Sequence, residues 1–506
     1  MKILLLSCTL LAFNTFAQSP AKKYINDPAS QHRWLTEYRS FLSIPNVYGD
    51  TINIQRNAEM ILTMLKQRGV NGKLMTSGEP GSSPAVFGEV KTPGAKTTVI
   101  FYAHYDGQPV NPKQWAEGLE PFTPALLTDR IDKGGKPVPF PSGKETINDS
   151  WRLYARGSSD DKAGVFAIIA AYEALTKSNI KPTVNIKFFF EGEEEAGSIN
   201  LDKIFTKYKT DLAGDLWIIS DGPRHPSGKK QVVFGVRGDV NVDLKLYGAK
   251  RPLHSGNYGN WAPNPAMRLA QLLATMKDKH GMVTIKGWYD DVIPLSESEK
   301  KALATIPDVE ETLREDLLLL SPDGNGKSFK ELLTLPTLNI NGIQSANVGN
   351  MASNIIPADA TAVLDLRMVA GNDVDKQIAR LKDHIVKEGY HIIDHEPTDE
   401  ERRQYPMIAK LVKRGGGYNA QRTPMDHPLA QRAVKAIQST VDYPVIQIPS
   451  LGGSLPLFLF ETHLNTQPIT IPIVNYDNNQ HAENENVVLK FLWEGIETMS
   501  AVMVMK

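Results

Sequence analysis

Thr97-Thr98-Val99-Ile100-Phe101-Tyr102-Ala103-His104-Tyr105-Asp106 is the stretch on which the fold turns. An unbroken apolar run of this length reads as a strand buried on both faces, as in a parallel sheet. It stops on a histidine, with an acid two residues later. The same grammar recurs twice. Val184 to Phe190 is a second strand, whose apolar end Phe188-Phe189-Phe190 runs into Glu191-Gly192-Glu193-Glu194-Glu195, while Leu216 to Ile219 is a third and is followed by Ser220 and Asp221. A strand pattern at Ala85 to Val90 precedes them. Helical spacing marks Gln31 to Leu42, Ile54 to Arg68 (closed by Gly69) and Lys162 to Leu175. Strands alternating with helices imply a largely parallel sheet with helices on both faces. Such sheets collect ligands at the carboxyl ends of their strands, so His104, the Glu191–Glu195 run and Asp221 should converge.

The pattern changes after Gly235. Val240 to Leu246 alternates strictly, as a strand with one wet face does. Met267 to Met276 is helical, Thr337 to Asn341 and Ala362 to Met368 are strands, and Val374 to Glu388 is a helix. This block reads as an α+β insert. α/β character resumes near Asp426, with a helix to Ile437, a strand from Ile469 to Val474 and a last helix from Val487. Leu127 to Asp149, rich in Gly and Pro, reads as a loop. There is no internal repeat. The divisions expected are a leader at 1–17, a catalytic domain in two parts at 18–232 and 411–506, and a lid and dimerisation domain at 233–410.

Lys and Arg number 56 against 57 Asp and Glu, a net charge of −1, so no global field favours nucleic acid or an anionic membrane. Met1-Lys2, the apolar run Ile3 to Phe13 and the small residues Thr15 and Ala17 read as a secretory signal peptide cut after Ala17. The run is too short to span a bilayer, and no other stretch of the chain is long and apolar enough. Cys8, the single cysteine, lies inside the leader. A mature chain without thiols suits an oxidising compartment, which makes a periplasmic or secreted location the expectation.

Six fragments carry the chemistry: HYD at 104–106, RGSSDDKAG around Asp160, EGEEEAGS around Glu194 and Glu195, ISD ending at Asp221, PLHSG around His254, and QHAENEN around His481. Taken singly each is bland. Asp160-Asp161 alone would be a helix cap, the glutamate run a solvated turn, and His481 a loop histidine. Together they offer two histidines and three carboxylates suited to a pair of zinc ions, plus a spare glutamate for protons. Zinc takes imidazole and carboxylate ligands and leaves a position for water at catalytic sites, and paired metals both activate that water and polarise a carbonyl. The set points to hydrolysis.

The chain resembles the M20 metallopeptidases, within them the dipeptidase branch of carnosinases and cytosolic non-specific dipeptidases. VIFYAHYDGQPV, LYARGSSDDKAG, FFFEGEEEAGS, WIISDG, FGVRGDVNVDL, PLHSGNYG, SNIIPADATAVLDLRM, SLGGSLP and QHAENENV carry the likeness, in order, over nearly the whole mature chain. The resemblance implies that His104 and Asp221 bind one zinc, Glu195 and His481 the other, and that Asp160 bridges them, with Mn2+ or Co2+ as alternative metals. It makes Asp106 the residue that orients His104, and Glu194 the general base that also returns the proton to the leaving amine. Glu193 leaves a register one residue earlier open. His254 would stabilise the tetrahedral oxyanion from the partner subunit of a homodimer formed through the lid. Asn354, Arg367, Gly452, Gly453 and Ser454 would contact the substrate, Arg367 pairing with its terminal carboxylate. Two positions depart from the family: Ala163 replaces a common glycine, and Arg414 stands about where carnosinases place a substrate-binding histidine. The expected activity is hydrolysis of a dipeptide or short peptide with a free terminal carboxylate. An N-acyl-amino-acid deacylase and a silent zinc or peptide binder are the rivals.

Overall fold

Thr98–His104 forms a strand near the middle of an eight-stranded sheet in the computed structural model, which describes residues 21–143 and 145–506. The expected leader, with Cys8, lies outside the described residues. The sheet runs in the order Gly72–Met75, Ala85–Val90, Asn185–Glu191, Thr98–His104, Leu216–Ile219, Ile469–Thr470, Gln231–Val233 and Ile446–Ile448. Thr98–His104 is parallel to both neighbours, with His104 opposite Glu191 and Tyr102 opposite Ile219. Ile469–Thr470 continues the parallel run, whereas the two strands at the amino-terminal edge are antiparallel. The parallel centre is therefore the part that carries the acids.

Side chains leave these strands alternately to two apolar layers, as period-two geometry requires. Val99, Phe101, Phe188, Phe190 and Ile218 join one core, beneath the helices Lys162–Lys177 and Leu489–Met503. Ile100, Tyr102, Phe189, Trp217 and Ile219 join the other, beneath Leu201–Lys207 and Phe458–Leu464. The second layer is aromatic: Trp217 meets Phe189 at 5.6 Å and Phe460 at 4.9 Å, both edge to face. Each such ring contributes about 1.5–3 kcal/mol by burial, and each pair about 0.5–1.5 kcal/mol more. This packing makes the strand ends rigid supports for the acid-bearing turns beyond them.

Lys162–Lys177 begins at Asp161, whose carboxylate accepts from the Gly164 amide at 3.2 Å. A Cβ at Gly164 would stand 2.3 Å from the Ser220 carbonyl oxygen. Glycine is needed there for the helix start to approach the strand end that delivers Asp221. Ala163, the family departure beside it, is fully buried.

A second sheet, in the order Thr337–Gln344, Asp359–Met368, Gly235–Tyr247, Ile408–Lys413 and His391–Ile393, is antiparallel apart from its last pair. Val240, Val242, Leu244 and Leu246 project into a separate core under the helices Pro265–Ala274 and Val374–Lys387. The first residues of Gly235–Tyr247 pair instead with Gln421–Arg422 and Leu451–Ser454. These pairings widen the second sheet to seven strands, and Gly235–Tyr247 follows directly on Gln231–Val233 of the first. A Cβ at Gly238 would stand 2.4 Å from the Tyr418 carbonyl oxygen, which crosses the strand there.

Two regions differ from the sequence-based expectation. The expected loop 127–149 contributes Pro137–Val138 to a four-stranded sheet with Ala125–Leu127, Arg152–Tyr154 and Asn486–Val488. The helices Glu297–Thr305, Glu310–Asp316 and Phe329–Leu332 were not expected, being too short to show a periodic stripe. Two of them announce themselves only by capping boxes, Ser296 with Glu299 and Ser328 with Glu331. Among the described residues no helix is long and apolar enough to cross a membrane.

Candidate active site

Three adjacent parallel strands end side by side, and their ends carry His104, the Glu191–Glu195 segment and Asp221. Asp160 arrives from the loop after Arg152–Tyr154, and His481 from the loop before Asn486–Val488; these two strands are paired. Donor atoms of His104, Asp161 and Asp221 lie within 4.8 Å of one another, and so do those of Asp160, Glu195 and His481. Asp160 stands between the groups. Its Oδ1 is 3.0 Å from His104 Nε2 and its Oδ2 is 3.0 Å from His481 Nε2. His481 Nε2 is 3.3 Å from Glu195, and His104 Nε2 is 3.8 Å from Asp221. Glu194 approaches His104 Nε2 at 3.9 Å without belonging to either group.

Asp161 is absent from the ligand set expected from the sequence. Its two carboxylate oxygens each accept a backbone amide at 3.2 Å, from His104 and Gly164, so it ties the strand end to the helix start. Asp106 does more than approach His104 Nδ1, at 3.4 Å. Its two oxygens also accept the amides of Glu194 at 3.1 Å and Glu195 at 3.0 Å, which fixes the glutamate turn against the histidine. Gln108 donates to Glu195 Oε2 at 2.8 Å. Beneath the loop, the fully buried Glu485 accepts from Arg156 Nη1 (2.7 Å), the Gly157 and Ser159 amides (3.0 and 2.8 Å) and the Asp160 amide (2.9 Å). Glu485 lies four residues past His481, and only that proximity could have flagged it. His481 itself has φ +61°, a left-handed conformation that costs a non-glycine residue about 1–3 kcal/mol and is held by its surroundings.

The electrostatics describe a site short of positive charge. Burial, then the charge of Asp160, pushes the Glu195 carboxyl up to about 8. Burial and Asp160 raise Asp221 to about 6, and burial raises Glu194 well above the carboxylate range, with Asp221 and Glu195 adding to it. Asp160 goes the other way. Burial opposes its ionisation, but hydrogen bonds from His104 and His481 hold it well below the usual value. Among the described residues no Lys or Arg forms an ion pair with Asp160, Asp161, Glu194, Glu195 or Asp221. Clustered buried carboxylates need a cation, and two imidazoles placed among them are the donor chemistry of a transition-metal pair. The residues fit a dinuclear metal centre.

Arg367 Nη1 donates to Ser454 Oγ at 2.9 Å. Its guanidinium also meets Asp365 at 2.9 Å and Asp239 at 3.5 Å. The Leu451–Ser454 strand, with Gly452 and Gly453, lies beside the Asp221 turn: a Leu451 methyl is 4.0 Å from where a Cβ on Gly222 would sit. Tyr418 is between these groups. Burial, then the charge of Glu194, raises its phenol, and its ring stacks on Phe458 at 5.7 Å. His254 and Asn354 are placed elsewhere. Both are exposed, on a ribbon formed by Leu253–His254 and Ile355–Ile356, and the Ser255 amide donates to the Asn354 carbonyl at 3.0 Å. Among the described residues neither side chain bonds to the acid cluster. Arg414 is exposed on the second sheet and pairs with Asp243 at 2.8 Å.

Comparison with known proteins agrees with this geometry. The chain is 28% identical over 421 residues to a Cys-Gly metallodipeptidase of Candida albicans, covering 82% of this chain and 80% of the relative. It is 26% identical over 414 residues to the Beta-Ala-His dipeptidase of Homo sapiens, covering 80% and 74%. Among solved structures it superposes on an M20 family metallo-carboxypeptidase from Sulfolobus solfataricus with a TM-score of 0.75 and 28% identity, over 93% of this chain and 98% of that one. The model of peptidase family M20/M25/M40 matches residues 100–504. That match begins inside the strand delivering His104 and ends at the closing helix, so the chain belongs to peptidase family M20/M25/M40 and is a metal-dependent hydrolase.

Proposed function

We propose that this protein hydrolyses the amide bond of a dipeptide or short peptide ending in a free carboxylate, with two zinc ions (or Mn2+ or Co2+) at the acid cluster. One observation carries the reading: the Asp160 carboxylate lies 3.0 Å from both His104 and His481 and divides the donors into two sets, while Glu194 belongs to neither. The dipeptidases among the relatives support the substrate class. His104 and Asp221 would hold one ion, Glu195 and His481 the other, and Asp160 both; Asp161 caps the helix. When bound, the ions would supply Lewis acidity to the scissile carbonyl and to the attacking water.

The rest is done by the chain. Glu194, which would be ionised once bound cations offset the charge of Asp221 and Glu195, accepts the proton from the attacking water and hands it to the nitrogen of the leaving amine. Asp106 keeps His104 and the glutamate turn in register through its contacts with the imidazole and the two glutamate amides. Arg367, Ser454 and the Gly453 backbone receive the terminal carboxylate, a match that suits the planar guanidinium. His254 reaches the tetrahedral oxyanion from a second copy and Asn354 contacts the substrate, the insert at 233–410 acting as lid and dimer contact between the catalytic parts at 18–232 and 411–506. Their exposure and their separation from the acids in one chain support that arrangement. Secretion to a periplasm with cleavage after Ala17 completes the proposal; the intact mass of natively expressed protein tests it. The decisive experiment is metal analysis of purified protein followed by turnover of a dipeptide panel and of N-acetyl amino acids on the same sample. Faster turnover of the acetyl compounds would overturn the dipeptidase reading.

A further inference from the structure

Arg237 is a buried guanidinium with no acid in contact among the described residues. It lies on the strand Gly235–Tyr247, opposite Ser454, and is 6% exposed. Its Nε is sealed from solvent and has no hydrogen-bond acceptor. Among the described residues no hydrogen bond and no ion pair reaches any atom of its guanidinium. The other arginines with buried side chains each have an acid: Arg156 has Glu485, Arg152 has Asp477, Arg68 has Glu37 and Arg224 has Glu494. Arg367, the neighbour of Arg237 across the sheet, is also neutralised, by Asp365 and Asp239. Burial, then the nearby Arg367, lowers the pKa of Arg237 to about 10 against an opposing pull from Asp365, which does not contact it, so both guanidinium groups stay charged at neutral pH.

Placement gives this charge a direction. Arg237 and Asp239 share a strand face, and Asp239 is in register with Arg367. Nη2 of Arg237 is 3.9 Å from where a Cβ on Gly452 would sit, and Arg367 Nη1 is bonded to Ser454 two residues on. Two forks therefore converge on one Gly-Gly-Ser loop beside Asp221. A buried charge without a counter-ion is costly to a fold, and the cost is tolerated where a ligand supplies the missing anion.

We propose that Arg237 is a second guanidinium receiving the terminal carboxylate of the substrate, with Arg367 held by its own acids to orient the site and Arg237 supplying the uncompensated charge. This rests on the peptide-hydrolase reading. It makes Arg237 a specificity-determining residue for a free carboxylate over an amide.

The test uses metal-loaded protein and a dipeptide whose amide is replaced by CH2–NH, which cannot be hydrolysed, together with the same compound as its terminal amide. Titration calorimetry on wild type, Arg237→Met and Arg237→Lys gives the acid-over-amide preference. Wild type should prefer the acid, and Arg237→Met should lower that preference by about tenfold to a hundredfold, as expected for a lost charge-assisted pair. Arg237→Lys, which keeps the charge and loses the fork, should fall between them. The melting temperature of Arg237→Met should hold or rise, because an unpaired buried charge has been replaced by an apolar chain of similar length. An unchanged preference in Arg237→Met, an equal loss for acid and amide, or a wild type that binds both alike would each overturn the proposal. Failure of wild type to turn over any dipeptide, with the binding preference intact, would remove the reaction and leave Arg237 as a carboxylate receptor.

Discussion

Replacing Glu485 by glutamine removes one charge from a fully buried cluster and leaves its shape. The carboxylate accepts Arg156 Nη1 at 2.7 Å, the amides of Gly157, Ser159 and Asp160, and the Ser159 hydroxyl at 2.9 Å. The amide oxygen of glutamine can still take the Ser159 and Asp160 amides, which share one carboxylate oxygen, but its NH2 then faces the Gly157 amide and Arg156, which is 3% exposed and has no other acid. Breaking a buried pair on one side costs about 3–5 kcal/mol. That is a large part of the roughly 5–15 kcal/mol by which folded proteins are stable. Removing the stranded charge as well, in Glu485→Gln with Arg156→Met, should recover at least about 2 kcal/mol, since a matched apolar replacement avoids the desolvation cost. Because the Asp160 amide hangs from Glu485, the single variant should also bind zinc about 10–100-fold more weakly, as for other residues that support ligands. Urea midpoints and zinc titration of wild type, both single variants and the double variant read both effects. A Glu485→Gln midpoint within about 0.5 kcal/mol of wild type, or no recovery in the double variant, would refute the claim that this pair holds the Asp160 loop.

Three further outcomes are expected. Glu194→Gln should fold and keep its metal affinity but lose turnover by about 10²–10⁴-fold, the range of a general base; an unchanged kcat removes Glu194 from that role. His254→Ala and Arg367→Ala should each be weakly active, and mixing them under conditions that exchange subunits should restore about a quarter of wild-type activity, since half the dimers are mixed and one of their two sites is whole. Activity that stays at the level of the separate variants would count against a shared site. Chelated protein should lose stability as pH rises from 5 to 8. The folded acids keep protons, Asp221 to about 6 and Glu195 to about 8, that the unfolded chain releases near pH 4. His481 keeps its proton to about 9, through its hydrogen bond to Asp160. In that window the native state binds more protons than the unfolded one, so the slope is negative. A urea midpoint that rises over the same interval would contradict this account of the empty cluster.

What could be read from the linear chain was whatever a short window encodes. Val99 to Ala103, Phe188 to Phe190 and Leu216 to Ile219 are apolar without interruption because parallel strands are covered on both faces, and the structure has them so. From that alone it followed that the residues after them sit at one end of a sheet. The alternation of Val240 to Leu246 likewise announced a sheet with one covered face. Helices of four to nine residues in the insert escaped because they are shorter than the stripe that reveals them.

The tertiary structure decided everything that depends on a partner distant in sequence. Asp160 and Asp161 are chemically identical neighbours, and only the fold turns one toward both histidines and the other into the amides of His104 and Gly164. Glu485 and Arg156 are 329 residues apart, and neither shows in isolation that it is buried with the other. Arg237 reads as an ordinary strand arginine until the sheet register sets it near Arg367, whose own acids it does not contact. Periodicity is a property of adjacent residues and survives in one dimension. Whether a charge is paired depends on which strands lie side by side, and that is set only when the chain closes on itself.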